Sequence, residues 1–224
     1  MIKKLFFISW SIFFCLSCFA CQHAQVKSSP YPSHWWKPVP REGAPSWEIL
    51  PQEASSEEVI LSKRNELGIL SNFAATPFTY RGKTYASVEG FWQMMKYPES
   101  ANDFRAQDSK VTWLYTREQV GQMTSFEAKK AGTLASNNMK ILGIDWVTFE
   151  GNRLIYREQA KGDFYKLIYE AEWNKLQQNP EVRKILLSTG NLKLRPDHQE
   201  EPDAAPAWRY YEIWMDIRQK ISKN

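Results

Sequence analysis

Polar residues sit in an unusual place in the segment SVEGFWQMMKY, residues 87–97. On a helix turning about 100° per residue, Glu89, Gln93 and Lys96 fall in one narrow stripe, at about 0°, 40° and −20°. Val88, Phe91, Trp92, Met94, Met95 and Tyr97 take nearly all the rest of the circumference. A surface helix has the reverse balance, a broad wet face and an apolar stripe. The pattern predicts a short, mostly buried helix carrying an acid, an amide and an amine in single file.

Elsewhere the pattern predicts short strands, then helices. EVILS, around residues 57–62, and FTY, residues 78–80, read as strands, and YRGKTY reads as a hairpin turning at Gly82. After Ser87 the chain reads as mostly helical. DFRAQ and VTWLYTREQVGQM fit helix, and Thr124 with Glu127 forms a T-x-x-E capping box ahead of AKKAG. A longer helix is expected from about Asn152 to Gln177, with Gly162 as the place where it would break. Asn179 and Pro180 start the next helix and Gly190 stops it. LKL reads as a short strand, RPDHQEEPDAAPA as a loop, and Trp208 to about Ser222 as an amphipathic helix. The fold class expected is mainly α, an α+β arrangement with a small β-hairpin element and no internal repeat.

The N-terminus follows other rules. Two lysines precede an apolar run from Leu5 to Ala20, too short for a comfortable membrane span and ending in small residues and cysteines. Residues 1–20 therefore read as a secretory signal peptide. Cys21, after Phe19 and Ala20, is the expected lipidation site of a lipoprotein-type signal, with Cys18 as second choice. Simple cleavage without lipid and an uncleaved anchor are the alternatives. The domain is thus expected to be exported and held on the periplasmic side of a cell envelope, or released as a periplasmic or secreted protein. Residues 21–56 hold half of the chain's 12 prolines and read as a Pro-rich tether. Trp35, Trp36 and Trp47 within it either dock on the domain or meet a membrane interface. The globular domain is expected over residues 57–224.

Composition narrows the chemistry. The 224 residues are 43% hydrophobic, enough for a substantial core, and the net charge is +4. Lys3 and Lys4 supply two of the 29 basic residues, so the remainder carries 27 against 25 acidic ones. That near-balance argues against sequence-independent nucleic-acid binding. The three cysteines, Cys15, Cys18 and Cys21, all lie at the N-terminus, which excludes a disulfide framework or cysteine zinc site beyond it. His23, His34 and His198 have no metal-ligand spacing, and no phosphate loop, nucleophile elbow or Cys/His pair occurs. No metal or cofactor is implied. Carboxylate, lysine and aromatic side chains remain.

The run LGILSNFAATPFTYRGKTYASVEGFWQMMKY, residues 67–97, closely resembles the signature of the NADAR family, also called YbiA-like. Matching positions are Leu70, Ser71, Asn72, Phe73, Pro77, Gly82, Lys83, Thr84, Tyr85, Glu89, Phe91, Gln93 and Lys96. The resemblance thins but continues through EAKKAG (127–132), Trp146, NPEVRKILLSTG (179–190) and Trp208. It implies a mostly helical YbiA-like domain with a small β element. It also implies N-glycosidic bond cleavage, on substrates such as phosphorylated riboflavin-pathway intermediates or ADP-ribose attached to a nucleobase. A small nucleotide-like molecule is therefore the expected partner, with nucleic acid expected only as an ADP-ribosylated base.

These residue types suit that chemistry. Breaking a ribose–nitrogen bond builds positive charge on the anomeric carbon and ring oxygen, which a carboxylate such as Glu89 stabilises or opposes with activated water. A lysine kept partly neutral by burial can form an imine with an opened sugar, the role open to Lys96. Lys96 lies about 10 Å along the axis from Glu89, so both can face one pocket without pairing. Gln93 between them can orient a sugar hydroxyl, and Asn72 can line the pocket from the preceding loop. Trp92 or Trp208 can stack on a base. The plainer alternative is a solvated helix edge, with Trp92 and Trp208 in the core and Asn72 serving a turn.

Departures from the family pattern bear on function. Gly90 stands where members carry His after the helix Glu. Thr133 stands where an Arg suited to a substrate phosphate is common. Arg209 follows Trp208 where Gly is common, and Asp197 is the residue able to replace an acid not clearly matched near Arg195 and Pro196. Two main readings stay open: an exported N-glycosidase-type hydrolase, and a catalytically silent envelope lipoprotein that binds a nucleotide-like ligand or a protein. A third, an exported effector acting on a host or competitor nucleotide, fits a lipidated Cys21 less well.

Overall fold

A computed structural model of the chain describes residues 30–223. The expected signal peptide and Cys21 lie outside the described residues, and Tyr31 opens the packed unit. Its strands are short and pair two by two. β1 (Glu58–Ile60) runs parallel to β6 (Lys193–Arg195), with Val59 opposite Leu194. β2 (Phe78–Tyr80) and β3 (Lys83–Tyr85) form the expected hairpin, Thr79 opposite Thr84, with Gly82 at a φ of 77° in the turn. The helices are α1 (Val88–Met94), α2 (Phe104–Gln107), α3 (Arg117–Gly121) and α4 (Ser125–Ile141), then α5 (Asp163–Gln178), α6 (Pro180–Ser188) and α7 (Tyr210–Ile221). The architecture is α+β with helices dominant. Among the described residues no helix is long and apolar enough to cross a membrane.

α1 is the hub. It packs against α3 and α4 on one side and α5 on another. Phe91 is wholly buried in an aromatic nest, edge-on to Phe78, Tyr85, Tyr80 and Phe149 with centroids 4.7 to 5.9 Å away. Such edge-to-face contacts match the ring quadrupoles. Truncating the ring to alanine would cost about 3–5 kcal/mol. The Ser87 hydroxyl caps the helix, accepting from Gly90 N–H at 2.9 Å and donating to the Met123 carbonyl at 2.8 Å. Past Met94 the bonds shorten to i→i−3, from Lys96 N–H to the Gln93 carbonyl and from Tyr97 N–H to the Met94 carbonyl. This tight final turn carries Lys96.

Two expectations fail for identifiable reasons. Residues 152–162 are not helical: β4 (Val147–Phe149) and β5 (Asn152–Leu154) form a second hairpin, with Gly151 at a φ of 79° making the turn. Gly151 needs no side-chain-free helix site but a left-handed turn, and Gly162 is the cap where α5 begins. Thr124 makes no capping hydrogen bond, and the box forms instead at Thr116 with Gln119, so residues before Thr116 stay outside the helix. In residues 31–56, docking on the domain is the alternative that Trp35 and Trp36 follow. Trp35 is 1% exposed and Leu50 equally buried, the Trp36 indole donates to the Glu58 carbonyl at 2.9 Å, and Glu48 bridges to His198. The prolines there make short 3-10 turns at Ser33–Trp36 and Pro51–Glu53 rather than a loose chain, because their neighbours are large apolar anchors.

Candidate active site

Glu89, Gln93 and Lys96 are buried, at 5%, 2% and 7% exposure, and all three line one cleft of about 650 Å³. Its walls come from α1, α4, the loop before β2, the start of α5 and the stretch leading into α7. The volume suits a nucleotide-sized molecule. The polar stripe is therefore neither core nor open surface.

α4 comes close enough to complete the seam because Gly132 faces Gln93. A methyl group at residue 132 would lie 1.7 Å from Gln93 Oε1. Gln93 Nε2 donates to Glu89 Oε1 at 2.7 Å, which orients the carboxylate. Lys96 Nζ donates to Ser136 Oγ at 2.9 Å and lies 4.7 Å from the centre of the Trp92 ring. Glu89 and Lys96 form no ion pair. Burial pushes the Glu89 carboxyl up, against the lowering pull of the Gln93 hydrogen bond and of Lys129 and Lys96. Burial drives the Lys96 amine down to about 7, with only partial relief from Glu89 and further depression by Lys129 and Arg157. An amine in that range is substantially neutral near pH 7 and able to act as a nucleophile or a base.

Three buried polar atoms of lining residues have no hydrogen-bond partner: Asn72 Oδ1, Gln93 Oε1 and Trp208 Nε1. An unpaired buried polar group costs about 1–3 kcal/mol, so acceptors and donors gathered around one cavity point to an occupant that pairs with them. Asn72 is placed by its backbone, whose carbonyl accepts from Glu89 N–H at 2.9 Å. Trp92 packs against Phe164 and Tyr156 at 5.1 and 5.3 Å, and Trp208 stacks on Tyr156 at 6.2 Å and 29°. Together they make an aromatic wall over which Arg157 is laid, 5.1 Å from the Trp208 ring.

Asp197 does not join this lining. It is 1% exposed, held by Lys63 Nζ at 2.5 Å and His198 Nδ1 at 3.3 Å, and its backbone carbonyl accepts from Ile49 N–H. Burial raises its carboxyl, but His198 and Lys63 outweigh that and hold it below the usual range. Its expected substrate contact is replaced by a structural one, because the loop after β6 turns it inward. Gly90 also acquires a plain reason. A Cβ there would meet the Met123 and Val120 carbonyls at 2.5 and 2.9 Å, so residue 90 faces α3 and not the cleft. Thr133 stands on the cleft wall, and the cations beside the seam are Lys129, Lys63 and Arg157. Of these, Lys129 had a detectable signal: it lies four residues before Thr133, on the same helical face.

No family model matches the chain, and no curated protein matches it. Among solved structures, the chain is similar to the NMR structure of the Escherichia coli protein YbiA, with 21% identity over 75% of this chain and 89% of that one and a TM-score of 0.44.

Proposed function

We propose that the chain is an exported N-glycosidase-type hydrolase that cleaves a ribose–nitrogen bond in a nucleotide-like or ADP-ribosylated substrate. The observation that carries this reading is the enclosed seam: a buried carboxylate and a buried, easily neutralised amine share one nucleotide-sized cleft whose unpaired polar atoms await a partner. The residues 67–97, with their NADAR-like signature, supply the reaction class. Water attacks the anomeric carbon, the carbon–nitrogen bond breaks with its electron pair passing to nitrogen, and the leaving nitrogen takes up a proton. Glu89 accepts the proton of the water and opposes the charge on the sugar. As a covalent alternative, neutral Lys96 attacks the C1 imine of the ring-opened sugar, the resulting aminal expels the original nitrogen with a proton to leave a lysine imine, and water hydrolyses that imine to the free sugar and the amine. Gln93 keeps Glu89 oriented, Asn72 takes a donor on the substrate, and Trp92 and Trp208 face a ring or sugar.

The test is incubation of the purified protein with ADP-ribosylated nucleosides and phosphorylated riboflavin precursors, followed by chromatography for released ring, ADP-ribose or ribose phosphate. Turnover that disappears in Glu89→Gln and in Lys96→Ala, both with the circular dichroism of the parent, supports the reading. No release from any of these substrates overturns it. Thr133, in place of an arginine suited to phosphate, favours the second reading, a silent envelope lipoprotein that binds such a ligand or a protein. That reading predicts saturable binding without turnover. Export and lipidation at Cys21 belong to either version, and metabolic labelling with a radioactive fatty acid, lost in Cys21→Ala, tests them.

A further inference from the structure

We propose that Trp47, from the segment ahead of the NADAR-like run, forms with Phe73 and Phe126 a stacking subsite for the heteroaromatic ring of the substrate. This rests on the hydrolase reading for the chemistry, but its geometry stands apart from it. All three rings line the cleft. Phe73 meets Phe126 edge-on at 5.2 Å, and Trp47 lies 6.2 Å from Phe126. Trp47 is 42% exposed and Phe126 57%, so these two rings stay open at the cleft, while Lys63 Nζ lies 5.0 Å from the centre of the Phe73 ring.

Trp47 is held there firmly. The adjoining Glu48 makes a two-pronged pair with Arg64, both contacts at 2.7 Å, and its carbonyl accepts from Arg41 at 2.8 Å. Ile49 N–H donates to the Asp197 carbonyl at 2.9 Å. A backbone fixed directly after Trp47 limits the entropy lost when a ligand stacks on its ring.

The position along the cleft identifies the occupant. The Asn72 carbonyl accepts from Glu89 N–H, and the Phe73 carbonyl accepts from Ser125 N–H, beside Phe126. The aromatic cluster therefore adjoins the Glu89 end of the seam, while Lys96 with Ser136 marks the other end. Asn72, between Phe73 and the backbone contact to Glu89, lines the same cleft, and its unpartnered Oδ1 is an acceptor for an N–H on the edge of a planar ring. A ring joined to a ribose over Glu89 would sit on these aromatics. The class recognised is an N-linked heteroaromatic riboside phosphate, and the ring held at the mouth is the one that leaves.

Calorimetric titration of the purified protein with adenosine 5′-monophosphate and with ribose 5-phosphate tests this directly, because only the first has the ring. Trp47→Ala is expected to weaken adenosine 5′-monophosphate binding about tenfold and to leave ribose 5-phosphate binding unchanged. Trp47→Phe is expected to restore most of the loss. Equal effects on both ligands, no effect on either, or no measurable binding of adenosine 5′-monophosphate by the parent protein would overturn the subsite. Ring-dependent binding without hydrolysis of any riboside would sink the hydrolase reading and leave the subsite standing. Hydrolysis with an unchanged KM in Trp47→Ala would do the opposite.

Discussion

Among the described residues, two buried acid–amine sets can be compared, and one of them lines the cleft while the other does not. On α1, Glu89 and Lys96 open into the cleft, with Gln93 and Ser136 as hydrogen-bond partners. On α5, Glu172 and Lys175 are fully buried in the core, where Lys175 Nζ donates to the Ser71 carbonyl at 2.8 Å and lies 5.5 Å from the Trp214 ring. Neither oxygen of Glu172 has a hydrogen-bond partner, and neither residue lines the cleft. Burial moves both sets the same way. It raises Glu172 to about 8 and lowers Lys175 to about 8, each partly offset by the other, just as it raises Glu89 and lowers Lys96. Perturbed protonation is therefore common to both and cannot by itself mark chemistry. Access for a substrate separates them.

Glu89→Gln gives the comparison its largest expected contrast. It should lower turnover by about 10³-fold while leaving the unfolding midpoint near that of the parent, since an amide avoids the burial cost of a carboxylate. A steady-state assay beside thermal unfolding decides it. Turnover within threefold of the parent would remove the distinction between the two sets.

Lys96→Met should stabilise the fold by an amount that depends on pH. Its folded pKa lies below the ordinary lysine value of 10.5. The stability that a neutral Lys96 allows is thus fully present above about 10.5 and is lost as pH falls through about 7. The gain from Lys96→Met should widen from pH 10 down to pH 7, reaching on the order of a few kcal/mol, and stay flat below that. Urea unfolding across this range checks the sign, and a gain independent of pH would contradict it.

Gly132→Ala should lower turnover and cost about 1–3 kcal/mol, because the new methyl displaces Gln93 and misaims Glu89. An unaltered rate would show that the Gln93–Glu89 bond does not position the carboxylate. The smallest effect on activity is expected from the double variant Glu172→Leu/Lys175→Met. Replacing a sealed acid and amine that make no direct bridge by apolar side chains should leave stability unchanged or raised, and turnover within about twofold of the parent. A large loss of turnover would bring the α5 pair into the chemistry.

Much of this contrast was legible in the sequence. The single-file stripe on 87–97, the Gly82 hairpin and the Asn179–Pro180 start of α6 are local signals, set by periodicity and turn chemistry, and they fold as read. The stripe's opening into a cleft was not legible, since periodicity cannot tell a solvated edge from a pocket wall. That depended on Gly132 letting α4 approach. The β4–β5 hairpin escaped because its strands are only three residues each and the tyrosine and arginines nearby tolerate either state. Docking of Trp35 and Trp36 is one of the two alternatives the sequence offers, and the prolines around them set the backbone locally without deciding between the two. The α5 pair had a signal that was overlooked. Phe164, Ile168 and Ala171 define the buried face, and Glu172 and Lys175 fall on that same face at helical spacing.

The proposed chemistry requires a seam kept dry enough to hold an amine near neutrality inside an open cleft. The protonation of Lys96 itself is the direct measure. Nitrogen-15 NMR of side-chain-labelled lysine, with Lys96→Met used to assign the resonance, should show Lys96 Nζ titrating near 7. Titration near the ordinary lysine value of 10.5 would show a hydrated ammonium and contradict the mechanism.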